Sequence, residues 1–100
     1  MMRLTGEIIH FFQGQGCVVL ATIDKNGLPH TSCKSIVKIE ESGLVYLLDA
    51  YHGTTYKNLL KNPFASITLF NEHKFVGYCL KGRARLIHKD ELDVGIVRAW

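Results

Sequence analysis

The 100-residue sequence is poor in the features that mark secreted, membrane or metal-centred proteins. It has two prolines, three cysteines, and no apolar run near the ~20 residues of a membrane-spanning helix. Cys17, Cys33 and Cys79 are odd in number and widely spaced, so they form neither a disulfide framework nor a CxxC motif. They are expected to be reduced packing residues in a reducing compartment. HExxH and paired-cysteine spacings are missing, and His30, Cys33, Asp49 and His52 fall into no recognised ligand spacing, so no metal is expected. Twelve Lys+Arg against nine Asp+Glu leave +3, which suits a small anionic ligand but is weak for a binder of duplex DNA. Glu7 and His10 interrupt what would have to be an apolar signal core. A soluble cytoplasmic protein is expected.

Hydrophobic residues make up 47% of the chain and charged ones 21%, the balance of a globule rather than of a disordered tract. The length holds one core, so residues 1–100 are read as a single domain. Thr5 is placed to cap a helix carrying Leu4, Ile8 and Phe12 at fourfold spacing, with Glu7 near its positive end and Gly14 and Gly16 stopping it. Cys17–Asp24 reads as a strand, and Asn26-Gly27 as a tight hairpin turn with positive φ angles. The partner strand runs from Pro29 to Ile39, with His30, Ser32 and Lys34 on one face and Thr31, Cys33 and Ser35 on the other. Both faces are polar in its first half, so something polar is expected beside it.

Ser42-Gly43 turns the chain into a strand at Leu44–Leu48, followed by a loop from Asp49 to Gly53. Thr54 or Thr55 is expected to cap a short helix ending at about Lys61, because Asn62 precedes Pro63. A strand follows at Phe64–Phe70, a turn at Asn71–Lys74, and a long strand at Phe75–His88, where Gly77 and Gly82 predict bends or bulges. Asp90 is read as the cap of a last helix whose Leu92, Ile96 and Trp100 share a face. The economical architecture is mainly β, an antiparallel barrel with short helices over its openings, since curling the sheet on itself hides its edges.

The segment most suggestive of chemistry is Asp49-Ala-Tyr-His-Gly-Thr-Thr-Tyr-Lys57. A strand end, Gly53 and a helix start with Thr54, Thr55 and Lys57 can seat a phosphate on free N–H groups, hydroxyls and an ammonium. The plainer alternative is a threonine-capped helix with a solvated lysine. Asp24, Glu40, Glu41 and Glu72 lie beside turns and read as surface carboxylates, giving little support to a paired-carboxylate hydrolase. Phe75, Tyr78, Lys81, Arg83 and Arg85 interleave aromatic and basic residues as single-strand nucleic-acid barrels do. Tyr78 and Lys81 have opposite parity, however, which favours a barrel strand with one solvated face.

Three stretches taken in order carry a family resemblance: Val18 to Ser32, Gly53 to Lys57 with Asn58-Leu59 and Asn62-Pro63, and Gly82-Arg-Ala-Arg85. Together they resemble the pyridoxamine 5'-phosphate oxidase-like FMN-binding split barrels over nearly the whole chain. The resemblance implies a six-stranded-type split barrel, dimeric, with two FMN molecules at the subunit interface and flavin redox chemistry on an unknown small molecule. It also implies a ring lying along Ser32, Cys33, Lys34 and Ser35, and a phosphate near Thr54, Thr55 and Lys57 with Asp49 at the preceding strand end. Many flavin-binding members carry Arg-Lys where this chain has Thr54-Thr55, so Lys57 or Lys34 would have to supply the missing charge. Members also commonly continue beyond the last helix begun here, which implies a substrate pocket that is missing or is built by the partner subunit. No residue is nominated as general acid or base. Two other functions compete: a non-catalytic holder of FMN, another flavin or heme on the same fold, and a nucleic-acid-binding small barrel.

Overall fold

In a computed structural model, residues 3–48, 53–86 and 94–99 are described, the last stretch as backbone. Thr5 caps helix α1 (Gly6–Gln13) as expected, its side-chain oxygen accepting the Ile8 N–H at 3.3 Å. Strands β1 (Cys17–Ile23), β2 (Pro29–Ile39) and β3 (Leu44–Leu48) follow as a meander, then helix α2 (Thr54–Lys61) and strands β4 (Phe64–Asn71), β5 (Val76–Leu86) and β6 (Val94–Ala99). All pairings are antiparallel, and the order β1-β2-β3-β6-β5-β4 closes into a barrel. This is the mainly β architecture with short helices that the turn pattern implied. None of the described helices is long and apolar enough to cross a membrane.

The barrel interior is set by strict alternation. Val18, Leu20 and Thr22 of β1, Ala65, Ile67 and Leu69 of β4, and Leu80 and Ala84 of β5 are all buried, while their neighbours point out. Ile67 sits opposite Leu20 on one side and Leu80 on the other and is fully buried at the middle of this wall. In β2 the register slips between Ile36 and Lys38. The extra residue leaves Val37 exposed and turns Ile39 back into the core, which is what a one-residue bulge does to side-chain parity.

Several local expectations are corrected. The bulge lies at Val37 and not at the β5 glycines, where the pairing with β4 runs without a break. Gly77 is needed for another reason: it faces Phe70, and a Cβ there would stand 2.9 Å from the Phe70 Cβ. The β1–β2 turn uses one positive φ and not two. Gly27 has φ +80, Asp24 N–H bonds to the Leu28 carbonyl, and Gly27 N–H bonds to the Asp24 carbonyl, a three-residue loop. The long strand starts at Val76 because Phe75 is in the left-handed region at φ 53. Gly53 takes the N-cap position of α2, so neither threonine caps it through its side chain.

The helix expected from Asp90 is strand β6 over residues 94–99; residues 87–93 and 100 lie outside the described residues. Open edges on β3 and β5 decide the matter. Each edge presents a row of unpaired N–H and C=O groups, and β6 satisfies both at once, so tertiary pairing overrides a weak helical spacing. The cysteines do not pack inside: Cys17, Cys33 and Cys79 are all exposed on the outer barrel face.

Helix α1 lies against the barrel through Phe12, which is fully buried, and Phe11, whose ring meets Tyr78 edge to face at 5.0 Å. The Tyr78 hydroxyl donates to Glu7 at 3.1 Å. Desolvation, and after it the bond to the Glu7 carboxylate, raise the Tyr78 phenol above its usual pKa of 10.0. This tether is therefore complete below the ordinary tyrosine range and is lost as pH rises through the raised value. For the core itself, Ile67→Ala is expected to cost about 2–5 kcal/mol, while Leu60→Ala on the exposed face of α2 costs under about 0.5 kcal/mol. Urea unfolding with matched m-values checks the difference.

Candidate functional site

Helix α2 is amphipathic, and its two faces do different work. Thr55 and Asn58 point inward and are 3% and 7% exposed. Thr55 Oγ1 lies 2.8 Å from Ser32 Oγ on β2, and Asn58 donates through Nδ2 to the Oγ1 of buried Thr22 on β1 at 3.0 Å. Ser32 and Thr22 belong to the inward rows of their strands, so these two bonds hold α2 across the barrel end from which the β1–β2 hairpin projects. The polar character of early β2 thus has a cause: part of that strand meets a helix through hydroxyl groups.

Thr54, Lys57 and Lys61 stand at i, i+3 and i+7 and share another face of α2. Between them and the hairpin is a cleft of about 440 Å³ lined by Ile23, Asp24, Lys25 and Asn26 on one side and Thr54, Lys57, Asn58, Lys61 and Asn62 on the other. Asp24 is committed to its turn, its Oδ1 accepting the N–H groups of Asn26 and Leu28 at 2.8 and 2.9 Å. Asn62 Oδ1 accepts the Phe64 N–H at 3.0 Å. A second groove of about 360 Å³ lies beside it on the outer wall and includes Ala21, Ile23, Pro29, Phe64, Ser66 and Lys81. Arg83 stacks on Phe64 there, 5.3 Å from the ring centre, so the basic residues of β5 form an outer stripe with one cation–π contact.

The residues singled out from the sequence divide accordingly. Ser32 and Thr55 are brought into contact, and half-buried Lys34 shares Ser32's face of β2. Cys33 and Ser35 are on the opposite, exposed face. Thr54 and Lys57 line the cleft, and Asp49 lies outside the described residues. Sequence reasoning places none of Lys25, Lys61, Asn58 and Asn62 at the site, although Asn58 and Asn62 are among the residues that carry the family resemblance. The helical spacing of Lys61 from Thr54 and Lys57 was a readable signal; Lys25 carried none, since only the fold brings it near.

A sequence model described as pyridoxamine 5'-phosphate oxidase matches residues 4–100. The chain belongs to this family. An uncharacterized protein of Methanocaldococcus jannaschii is 30% identical over 93 residues, covering 91% of this chain and 61% of its own. The chain thus spans about three-fifths of that relative. Among solved structures, HupZ of Group A Streptococcus superposes with TM-score 0.84 at 18% identity, covering 97% of this chain and 90% of that one. HutZ of Vibrio cholerae, described as a heme storage protein, gives 0.70 at 21%, covering 98% and 89%. A pyridoxamine 5'-phosphate oxidase-related, FMN-binding protein of Nostoc punctiforme gives 0.68 at 17%, covering 84% and 46%. These likenesses share the fold and differ in what their names say they hold.

The hydroxyl contact at the centre of this family member is testable by a double-mutant cycle. Ser32→Ala and Thr55→Ala are each expected to destabilise, with a coupling of about 0.5–1.5 kcal/mol between them measured by thermal or urea unfolding. A coupling of zero would mean that the two oxygens do not hold α2 to β2.

Proposed function

We propose that this chain is an FMN-binding oxidoreductase module of the pyridoxamine 5'-phosphate oxidase family, acting on a small molecule as a homodimer. The observation that carries it is the 2.8 Å contact between Ser32 and Thr55, which joins the strand proposed to carry the ring to the helix turn proposed to carry the phosphate, 23 positions apart in the chain. A ligand with a flat ring and an anionic tail fits this arrangement. Cys33 and Ser35 offer the exposed wall of β2 to the ring, and Thr54 and Lys57 line a cleft in which a phosphate meets hydroxyl and ammonium donors. When bound, the flavin would supply electron or hydride transfer, while the chain orients it and limits access to it.

The outer face supports a partner of the same kind. Cys33, Val19, Thr68 and Cys79 follow one another across β2, β1, β4 and β5 as small or apolar outward positions, with Phe70 exposed nearby. A second copy covering this wall would bury the ring face of β2 in the interface. Such a contact is expected to exceed ~2,000 Å² if obligate.

One observation favours a second reading, a holder of flavin or heme without turnover. Thr54-Thr55 offers no cation, and the Thr55 hydroxyl is already engaged by Ser32, so tight charge-assisted binding at that pair is absent. Purified protein titrated with FMN and, separately, with hemin distinguishes a flavin from a heme ligand by absorption, and repeated reduction and reoxidation of bound flavin at the expense of a small-molecule substrate separates an oxidoreductase from a holder. The oxidoreductase reading expects a perturbed two-band flavin spectrum, reducible by a chemical donor, on a dimer in sedimentation. A sharp Soret band with no flavin perturbation selects the heme reading and sinks the first.

A further inference from the structure

We propose that the groove on the outer barrel wall beside the β1–β2 hairpin binds a small aromatic carboxylate, its ring over Ala21 and Ser66 and its carboxylate against Lys81 and Arg83. The groove follows from side-chain size along two neighbouring strands. On β1 the outward positions run Ile23, Ala21, Val19, and on β4 they run Phe64, Ser66, Thr68, so on both strands a short residue stands between larger ones. Ala21 and Ser66 are partners in the ladder, and the same row continues to Lys81 on β5. The flanking positions are four residues apart along each strand, about 13 Å, and the short pair leaves a trough between them. Ile23, Pro29 and Phe64 form the wall on the hairpin side, and the volume of about 360 Å³ is within the range of small-molecule sites.

The lining selects the ligand. Ala21, Ile23, Pro29 and Phe64 offer apolar contact, with the Phe64 side chain still 44% exposed, so the body of the ligand is apolar and flat. No carboxylate lines the groove, and its charged residue is Lys81. Arg83 is the ladder partner of Phe64, and its guanidinium stands over that ring, 5.3 Å from the centre. This position sets Arg83 apart from the rest of the basic stripe: Arg85, two residues further along β5, is past the start of β4 and pairs only with Ile96 of β6. A planar carboxylate takes two parallel N–H donors from a guanidinium, and a ring attached to it can lie against the ring that the guanidinium already covers. The row Cys33, Val19, Thr68 and Cys79, proposed to face a second copy, is the next one along the same strands. In the flavin reading, with the ring on Cys33 and Ser35, the groove adjoins the ring and fits the small molecule on which the flavin acts; this step alone rests on that reading.

Isothermal titration of the full chain with 2-naphthoate tests the assignment, with the neutral 2-naphthamide and FMN as separate arms. The carboxylate is expected to bind about tenfold or more tighter than the amide. Arg83→Gln should weaken 2-naphthoate roughly 5- to 20-fold and leave 2-naphthamide within about threefold, a split that a general loss of structure would not produce. Ser66→Leu fills the trough and should weaken both ligands by about tenfold or more, while Arg85→Gln should stay within about twofold of the parent. Arg83 and Arg85 are exposed, so their variants carry the test even where Ser66→Leu fails to fold. No binding of 2-naphthoate, or an equal loss with Arg85→Gln, overturns the site. So does a parent dimer that Ser66→Leu turns into a folded monomer in sedimentation, since the groove then belongs to a second copy. If 2-naphthoate binds in this pattern and FMN does not bind, the groove stands and the flavin reading falls. If FMN binds and displaces 2-naphthoate, the flavin reading stands and this site falls.

Discussion

The orientation of α2 depends on two hydrogen bonds that the barrel interior cannot leave unmade. Thr55 and Asn58 are buried polar residues on the inner face of a short helix, and they meet Ser32 and Thr22, which point inward from β2 and β1. An unpaired polar group in such a place costs about 1–3 kcal/mol, more than the bond itself contributes, so the alternatives to this docking are penalised rather than merely less favoured. Turning α2 about its axis by one residue would strand both groups, and in one of the two directions would drive Lys57 toward the core. The contact is modest in net stabilisation and decisive in geometry. It leaves Thr54, Lys57 and Lys61 facing the hairpin.

Much of this was legible in the sequence, and the misses have physical causes. Thr5, the apolar spacing after it, and the Asn62-Pro63 stop are local signals, and both helices stand where those signals put them. Strands β1 to β4 follow from β-rich runs between turn residues. The C-terminal segment was misread because its spacing fits a helix, whereas the edges of β3 and β5 that it must pair are invisible along the chain. The cysteines were misplaced because a β-prone neighbourhood favours burial without saying which face is out: Cys17 and Cys79 have apolar neighbours, while Cys33 sits in a stretch polar on both faces. In the site, the parity of β2 was readable, yet the closure that brings Lys25 to Lys57 and Lys61 depends on contacts between distant elements.

The same barrel serves different contents in different proteins. A Vibrio cholerae relative in structure is described as storing heme and a Nostoc punctiforme one as binding FMN, with sequence identities to this chain of 21% and 17%. The fold is therefore common property, and function has to be argued from the residues of each site. Here the outer wall carries the small or apolar row Cys33, Val19, Thr68 and Cys79, and the α2 cleft is lined by Lys25, Lys57 and Lys61 together with Asp24.

The central claim is that α2 is anchored on one face so that its other face, with the hairpin, is open to the phosphate of the proposed flavin ligand. Amide-resolved NMR of the full chain titrated with pyrophosphate tests this most directly. The account predicts shifts confined to the hairpin around Lys25 and Asn26 and to α2 around Thr54, Lys57 and Lys61, with the Ser32 and Thr22 amides little moved because the anchor is already formed. Shifts spread along β2 and β1, or concentrated on the basic stripe at Lys81, Arg83 and Arg85, would contradict it.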